Sequence, residues 1–363
     1  MALLYRRDKR TKKIPQSLWS LTNQIDELKG QWIGGATLNP QALGRLKRSV
    51  LITSTGSSTR IEGAKLSDDD VEKLMRGLGM QKFADRDKQE VRGYYELLEN
   101  VFSSWKHIPF SESTIKHFHK ELLKYATKDE RHRGEYKKTE NKVEIFDASG
   151  KSVGVLFETS PAYLTPKHMS ELIDWTNKTL AAKETHPLIV IGSFLVEFLA
   201  IHPFQDGNGR LSRVLTNLLM LRFGYAYVPY VSHEKLIENN KTDYYVALQR
   251  SQVTLRTSDE DITPWLKFFL TMSARQAEQA ITLLSRENIE RLLSPKQLAV
   301  WHYLKGAPEA TPGEIARATK VARPTVSQAL DVLLRLKKIE RLGQGRTTRY
   351  RKIENGTNVS TIV

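Results

Sequence analysis

The sequence predicts a mainly α-helical protein with one small β-hairpin and a separate basic domain at its C-terminal end. Three observations carry this. Apolar residues recur at helical spacing through most of the 363 residues, two short stretches alternate with the period of a strand, and a formal charge of +15 is concentrated at one end. The length suffices for two or three domains, and the composition shifts divide it at 1–107, 108–280 and 281–363. No internal repeat or low-complexity tract interrupts it.

Residues 1–107 begin with a basic tail (Arg6, Arg7, Lys9, Arg10, Lys12, Lys13) and continue as amphipathic helices broken near Gly34-Gly35. In the middle zone, Lys142 to Phe157 forms two alternating runs around Asp147 to Lys151, the pattern of a hairpin. Leu188 to Ile201 is apolar except for Ser193 and Glu197, too short to span a bilayer and suited to a buried helix with Pro187 in its first turn. Beyond residue 210, Leu211, Val214, Leu215, Leu218, Leu219 and Leu221 predict a second helix, with Gly207 to Gly209 at its N-terminus. A long helical stretch from Pro264 to Leu293 leads out of this zone.

The loop between those two helices, His202-Pro203-Phe204-Gln205-Asp206-Gly207-Asn208-Gly209-Arg210, followed by Arg213, is equipped for a nucleoside triphosphate. Glycines at a helix start let backbone N–H groups and the positive end of the helix dipole face an anion. Asn208 adds a donor, and Arg210 and Arg213 can fork onto phosphates. Asp206 is a hard oxygen ligand for Mg2+. His202 ionises near neutrality and suits a general base for a hydroxyl nucleophile. Separately, a His-Pro turn and a Gly-Asn-Gly loop are ordinary local structure, and a His202/Asp206 metal pair is disfavoured because Pro203 and the glycines break the helix that would bring them together.

These residues match His-x-Phe-x-Asp/Glu-Gly-Asn-Gly-Arg-x-x-Arg at every specified position, so the segment resembles the signature of Fic-domain proteins. The resemblance implies an all-helical core with a hairpin flap, and transfer of AMP from ATP to a Ser, Thr or Tyr hydroxyl of a protein target, the chain itself included. Carried over, His202 would deprotonate the hydroxyl and Asp206 would hold Mg2+. Asn208 and the backbone at Gly207 and Gly209 would take the α-phosphate, Arg210 the β-phosphate side and Arg213 the γ-phosphate. The Lys142–Phe157 hairpin would be the flap that pairs with the target backbone, or a purely structural hairpin. Gly134-Glu135-Tyr136-Lys137 resembles a family segment that commonly ends in Arg, so Lys137 is a departure.

Upstream, Ser58-Thr59-Arg60-Ile61-Glu62-Gly63 is similar to the inhibitory Ser/Thr-x-x-x-Glu-Gly/Asn motif of some Fic proteins. Its competing reading is an exposed helix glutamate followed by a Gly cap. As an inhibitor, Glu62 would occupy Arg213 and deny it to the γ-phosphate; the same carboxylate could instead position water for AMP removal. Asn239, Asn240, Tyr244 and Tyr245 resemble the region bordering adenosine, with Asn240 and Tyr245 as its candidates and Tyr244 equally suited to packing a helix.

From Arg291 to Lys352, fourteen Lys/Arg stand against four Asp/Glu, ten of the formal +15. Helical stretches Pro295–Leu304, Thr311–Thr319 and Pro324–Leu336, then short extended segments around Gly343-Gln344-Gly345, resemble a winged helix-turn-helix. Arg323, Thr325, Ser327 and Gln328 would face a DNA groove, with Arg346, Arg349 and Arg351 on the wing. The competing reading is a winged helix used for protein contacts or homodimerisation, its charge serving solubility alone. Two further functions therefore stand beside AMP transfer: a DNA-binding regulator whose Fic core senses nucleotide, and an enzyme that removes AMP or uses another nucleotide donor. With no cysteine, disulfides and thiolate catalysis are excluded. Without an apolar leader or a long apolar span, a cytoplasmic protein that does not enter the membrane is expected.

Overall fold

The computed structural model describes residue 7 and residues 14–33, 40–77, 86–146, 152–283, 293–336, 338–343 and 348–353. They fall into two compact units, one of residues 1–26 and 47–277, the other of residues 27–46 and 278–363. The hairpin tip at Asp147 to Lys151, the Gly34-Gly35 break, Gln344-Gly345 and Arg346 lie outside the described residues.

The chain begins with α1 (Gln16–Ile33), α2 (Pro40–Ile61), α3 (Asp68–Gly77), α4 (Arg86–Ser104) and α5 (Glu112–Leu122). Ser111 starts α5 by accepting a hydrogen bond from the Thr114 N–H. Strands β1 (Lys142–Phe146) and β2 (Ser152–Glu158) pair antiparallel, Lys142 opposite Glu158 and Phe146 opposite Ser152, with irregularities after Val143 and Ile145. Then come α6 (Thr165–Ala182), α7 (Pro187–Ile201), α8 (Asn208–Arg222), α9 (His233–Asn239), α10 (Lys241–Gln252) and α11 (Thr263–Leu283).

Helix α7 is the axis of the first unit. Every residue from Leu188 to Leu199 is buried, and burial of each large apolar side chain contributes roughly 1.5–3 kcal/mol. The helix that delivers His202 is thus a stiff mount. Its one charge, Glu197, is matched by Arg7, whose Nε lies 2.9 Å from Oε2 and Nη2 2.6 Å from Oε1, so part of the basic tail is a buried ion-pair partner. Trp265 of α11 donates from its indole N–H to the Gly192 carbonyl at 2.8 Å, and Trp265 and Phe268 pack edge-on against Tyr244.

The second unit closes with α12 (Pro295–Gly306), α13 (Pro312–Thr319), α14 (Arg323–Arg335), and the antiparallel strands β3 (Ile339–Leu342) and β4 (Arg349–Lys352). Capping boxes at Ser294/Gln297 and Thr311/Glu314 start α12 and α13. Val300, Trp301, Leu304, Ile315, Val326, Leu330 and Leu333 fill its core. This is a winged helix-turn-helix.

Candidate active site

Helix α7 ends at Ile201 and α8 begins at Asn208, so the loop of interest is the six residues between two buried helices. His202 caps α7 in the left-handed region (φ 50°), and Gly207 caps α8 at φ 79°, where a side chain would be strained. Within the loop, Asn208 clamps Phe204 from both sides. Its Oδ1 accepts the Phe204 N–H at 2.9 Å and its Nδ2 donates to the Phe204 carbonyl at 2.8 Å. In this structure Asn208 therefore holds the loop's shape.

Three residues outside the signature secure the same loop. The Lys137 N–H donates to Pro203 O at 2.9 Å, its Nζ to Ile201 O at 3.1 Å, and Asn141 Nδ2 to Phe204 O at 2.9 Å. His119 of α5 stacks on Phe204, centroids 3.9 Å apart. Its Nδ1 accepts the Gly134 N–H at 2.9 Å, which leaves Nε2 as the protonated nitrogen, 3.0 Å from Asp206 O. Burial lowers His119 to about 4, so this neutral tautomer persists at neutral pH.

His202 is half-buried, and burial lowers it also to about 4. Its Nδ1 lies 3.3 Å from Leu199 O, which assigns the proton to Nδ1 and the ring lone pair to Nε2. At neutral pH the ring is a proton acceptor.

Asp206 has cations on one side and the helix start on the other. Oδ1 accepts the Gly207 N–H at 2.6 Å, while Oδ2 lies 3.0 Å from Arg210 Nη2 and 2.8 Å from Arg86 Nη2. Burial pushes this carboxyl up, but Arg210, the Gly207 N–H and Arg86 outweigh it and leave it below the usual range. Arg210 is held by Glu90 of α4 as well. Among the described residues, no group of three His, Asp or Glu side chains converges on a cation position. The donor set fits a magnesium ion that shares one carboxylate with phosphate oxygens, and does not fit an all-protein cage.

Arg213 is buried at 2 % exposure and faces the end of α2. Its Nε donates to Ser58 Oγ at 2.7 Å, and its Nη2 to Ser58 O at 2.9 Å and to Glu62 Oε1 at 2.7 Å. Burial opposes its charge, and Glu62 more than restores it, so the guanidinium is raised above its ordinary value. The Glu62 carboxylate also lies against Gly209, where a Cβ would meet Oε1 at 2.2 Å. An anion thus already rests on the first turn of α8, where the dipole favours one. Arg60 fixes the segment that carries it: its Nε lies 2.6 Å from Glu238 Oε1, its Nη2 2.9 Å from Asp68 Oδ1, and its Nη1 2.8 Å from Leu66 O. Gly63, at φ 103°, turns the chain away after Glu62.

Residues 109–220 match the model of the Fic/DOC family, and residues 293–349 that of the MarR family. The chain carries a Fic/DOC domain. The Fic match ends just beyond Arg213, so it spans the whole loop, whereas Ser58 and Glu62 reach it from outside the matched segment. A protein of Aquifex aeolicus named a probable protein adenylyltransferase is 27 % identical over 186 residues, 50 % of this chain and 51 % of that protein. A protein adenylyltransferase of Caenorhabditis elegans is 26 % identical over 139 residues, 38 % of this chain and 25 % of that protein. The chain spans about half or less of the length of these curated relatives. The crystal structure of a Fic family protein from Desulfovibrio desulfuricans aligns with TM-score 0.60 at 25 % identity, covering 95 % of this chain and 98 % of that one.

Around the Fic loop, Tyr245 is half-buried with its hydroxyl 3.5 Å from Ile61 O, beside Glu62, whereas Tyr244 is core. Asn240 donates from Nδ2 to Leu236 O at 2.8 Å and accepts from Arg275 at 3.3 Å. In the winged helix, Arg323, Ser327 and Gln328 are exposed on the first turns of α14 and Thr325 is half-buried. Arg349 instead lies 3.4 Å from Glu309, and Arg351 2.6 Å from Glu340.

Proposed function

We propose that the chain is a protein adenylyltransferase: it moves AMP from ATP to the hydroxyl of a Ser, Thr or Tyr side chain, and Glu62 holds it inactive. The observation that supports this best is the Glu62–Arg213 contact at 2.7 Å over the first turn of α8, a carboxylate resting where a phosphate chain would run.

His202 Nε2 takes the proton of the target hydroxyl, whose oxygen forms a bond to the α-phosphorus. The bond from that phosphorus to the bridging oxygen breaks, and pyrophosphate leaves with the electron pair. Gly209 and the second Nδ2 hydrogen of Asn208 face the α-phosphate, while the Gly207 N–H holds Asp206 Oδ1 beside it. Arg210 and, once free, Arg213 meet the charge that develops on the leaving group. Asp206 would hold Mg2+, which neutralises phosphate charge when bound. Asn240 and Tyr245 border the base. The β1–β2 hairpin presents the target's backbone by strand addition. While Glu62 occupies Arg213, ATP lacks its γ-phosphate partner and its α-phosphate is misaligned.

The test is magnesium-dependent transfer of α-labelled ATP to protein. Glu62→Gly is expected to raise transfer by about tenfold or more, within the usual range of coupling between competing ligands. Adding His202→Ala is expected to lower it again by about 10²–10⁴-fold, the contribution of a positioned base. A folded Glu62→Gly chain that labels nothing would reject the reading. The MarR-type domain and the exposed Arg323, Ser327 and Gln328 support a second role alongside the first, binding of DNA.

A further inference from the structure

Arg86 is the first residue of α4 and lies outside both sequence motifs, yet it reaches the carboxylate assigned above to the metal. Its Nε is anchored to Glu90 Oε1 at 2.7 Å, while its Nη2 stands between two carboxylates. One is Asp206, whose Oδ2 accepts at 2.8 Å. The other is Asp129, whose Oδ2 lies at 3.4 Å. Asp129 is 5 % exposed, its Oδ1 is 3.0 Å from His132 Nε2, and its Oδ2 is buried with no hydrogen-bond partner among the described residues. A buried carboxylate oxygen within ion-pair reach of a guanidinium, but without a hydrogen bond, is a site that a mobile donor gains by filling.

The two cations on Asp206 differ in freedom. The Arg210 side chain is 3 % exposed and the Arg86 side chain 43 % exposed. Oδ1 accepts the Gly207 N–H and Oδ2 carries both guanidiniums, so a divalent cation that enters at Oδ2 displaces one of them, and the cation that can give way there is Arg86.

We propose that Arg86 is a two-position counter-ion: resting on Asp206 Oδ2 it closes that oxygen to a divalent cation, and by swinging onto Asp129 Oδ2 it opens it. The proposal rests on the reading of Asp206 as the metal carboxylate. Glu90 serves as the hinge, since the Nε contact survives the swing. Arg86 then acts on the metal step separately from Glu62, which acts on the phosphate chain. It is a positioning residue and touches no reacting atom.

The experiment is a Mn2+ titration followed by electron paramagnetic resonance, on the full chain with a non-hydrolysable ATP analogue, every variant being built on Glu62→Gly. Arg86→Ala is expected to bind Mn2+ about fivefold or more tightly, at the low end of typical coupling factors. Arg86→Lys, which keeps the charge, should stay near the parent. Asp129→Asn should weaken Mn2+ binding because Arg86 loses its second position, and it should have no effect once Arg86 is Ala. If Arg86→Ala fails to fold, Arg86→Gln carries the same expectation. Unchanged or weaker Mn2+ binding in folded Arg86→Ala or Arg86→Gln, or an Asp129→Asn effect that persists without Arg86, overturns the proposal. Asp206→Asn separates the two failures. If it binds Mn2+ like the parent, the metal reading of Asp206 falls and takes the proposal with it. If it loses the ion while Arg86→Ala changes nothing, the two-position counter-ion alone is wrong.

Discussion

Burial governs the chemistry of the buried histidines, whereas charge pairing outweighs it at Asp206 and Arg213. His119 and His233 are both held near about 4 by burial, against an ordinary value of 6.5. An unfolded chain protonates these rings below about pH 6.5, and the folded chain does not until about 4, so stability falls as pH drops through that window and is flat above it. Each ring is expected to remove on the order of 2 kcal/mol by pH 5. Urea unfolding at pH 7 and pH 5 reads this loss directly, and His119→Gln should remove the share of the difference that belongs to that ring; an unchanged midpoint between the two pH values would contradict it. The same burial keeps His202 a neutral acceptor over the physiological range, so its readiness as a base does not hinge on small pH changes.

Among the elements, the end of α2 is decided by Arg60 as much as by Glu62. With Glu238 of α9 on one side and Asp68 of α3 on the other, Arg60 fixes the turn that aims the carboxylate at Arg213. Arg60→Met should therefore loosen that aim and raise AMP transfer above wild type, by less than Glu62→Gly does, in the α-labelled ATP assay; transfer at the wild-type level would show that the turn holds without it. The helices themselves were legible in the sequence, because the apolar period of α7 and α8 and the Gly-Asn-Gly between them are local signals. Of the site, the contiguous loop was legible for the same reason. Arg60, Arg86, Glu90, His119 and Asn141 were not, because a lone charged or polar residue gives no sign of a partner scores of positions away, and Lys137 read only as a departure from a family segment. Asn208 shows a different limit: its side chain reads as a phosphate donor, and both its polar atoms also build the loop.

Over the whole molecule, charge is separated from chemistry. The surplus of ten positive charges lies in the winged-helix zone, but Arg349 and Arg351 of the wing already face Glu309 and Glu340. DNA association of the full chain should therefore weaken steeply with salt and depend on Arg323 far more than on Arg351. Fluorescence anisotropy of labelled duplex DNA at two salt concentrations, with Arg323→Ala and Arg351→Ala, measures both expectations, and equal losses for the two variants would remove the special place of Arg323. Among the described residues no helix is long and apolar enough to cross a membrane.

Glu62 and Arg213 belong to one compact unit of one chain. The carboxylate is thus a tethered competitor, present at an effective concentration fixed by the backbone. Dilution leaves the proposed block in place, and a diffusing triphosphate has to outcompete a neighbour that never leaves. Lasting release then calls for something that grips the end of α2 and pulls it away.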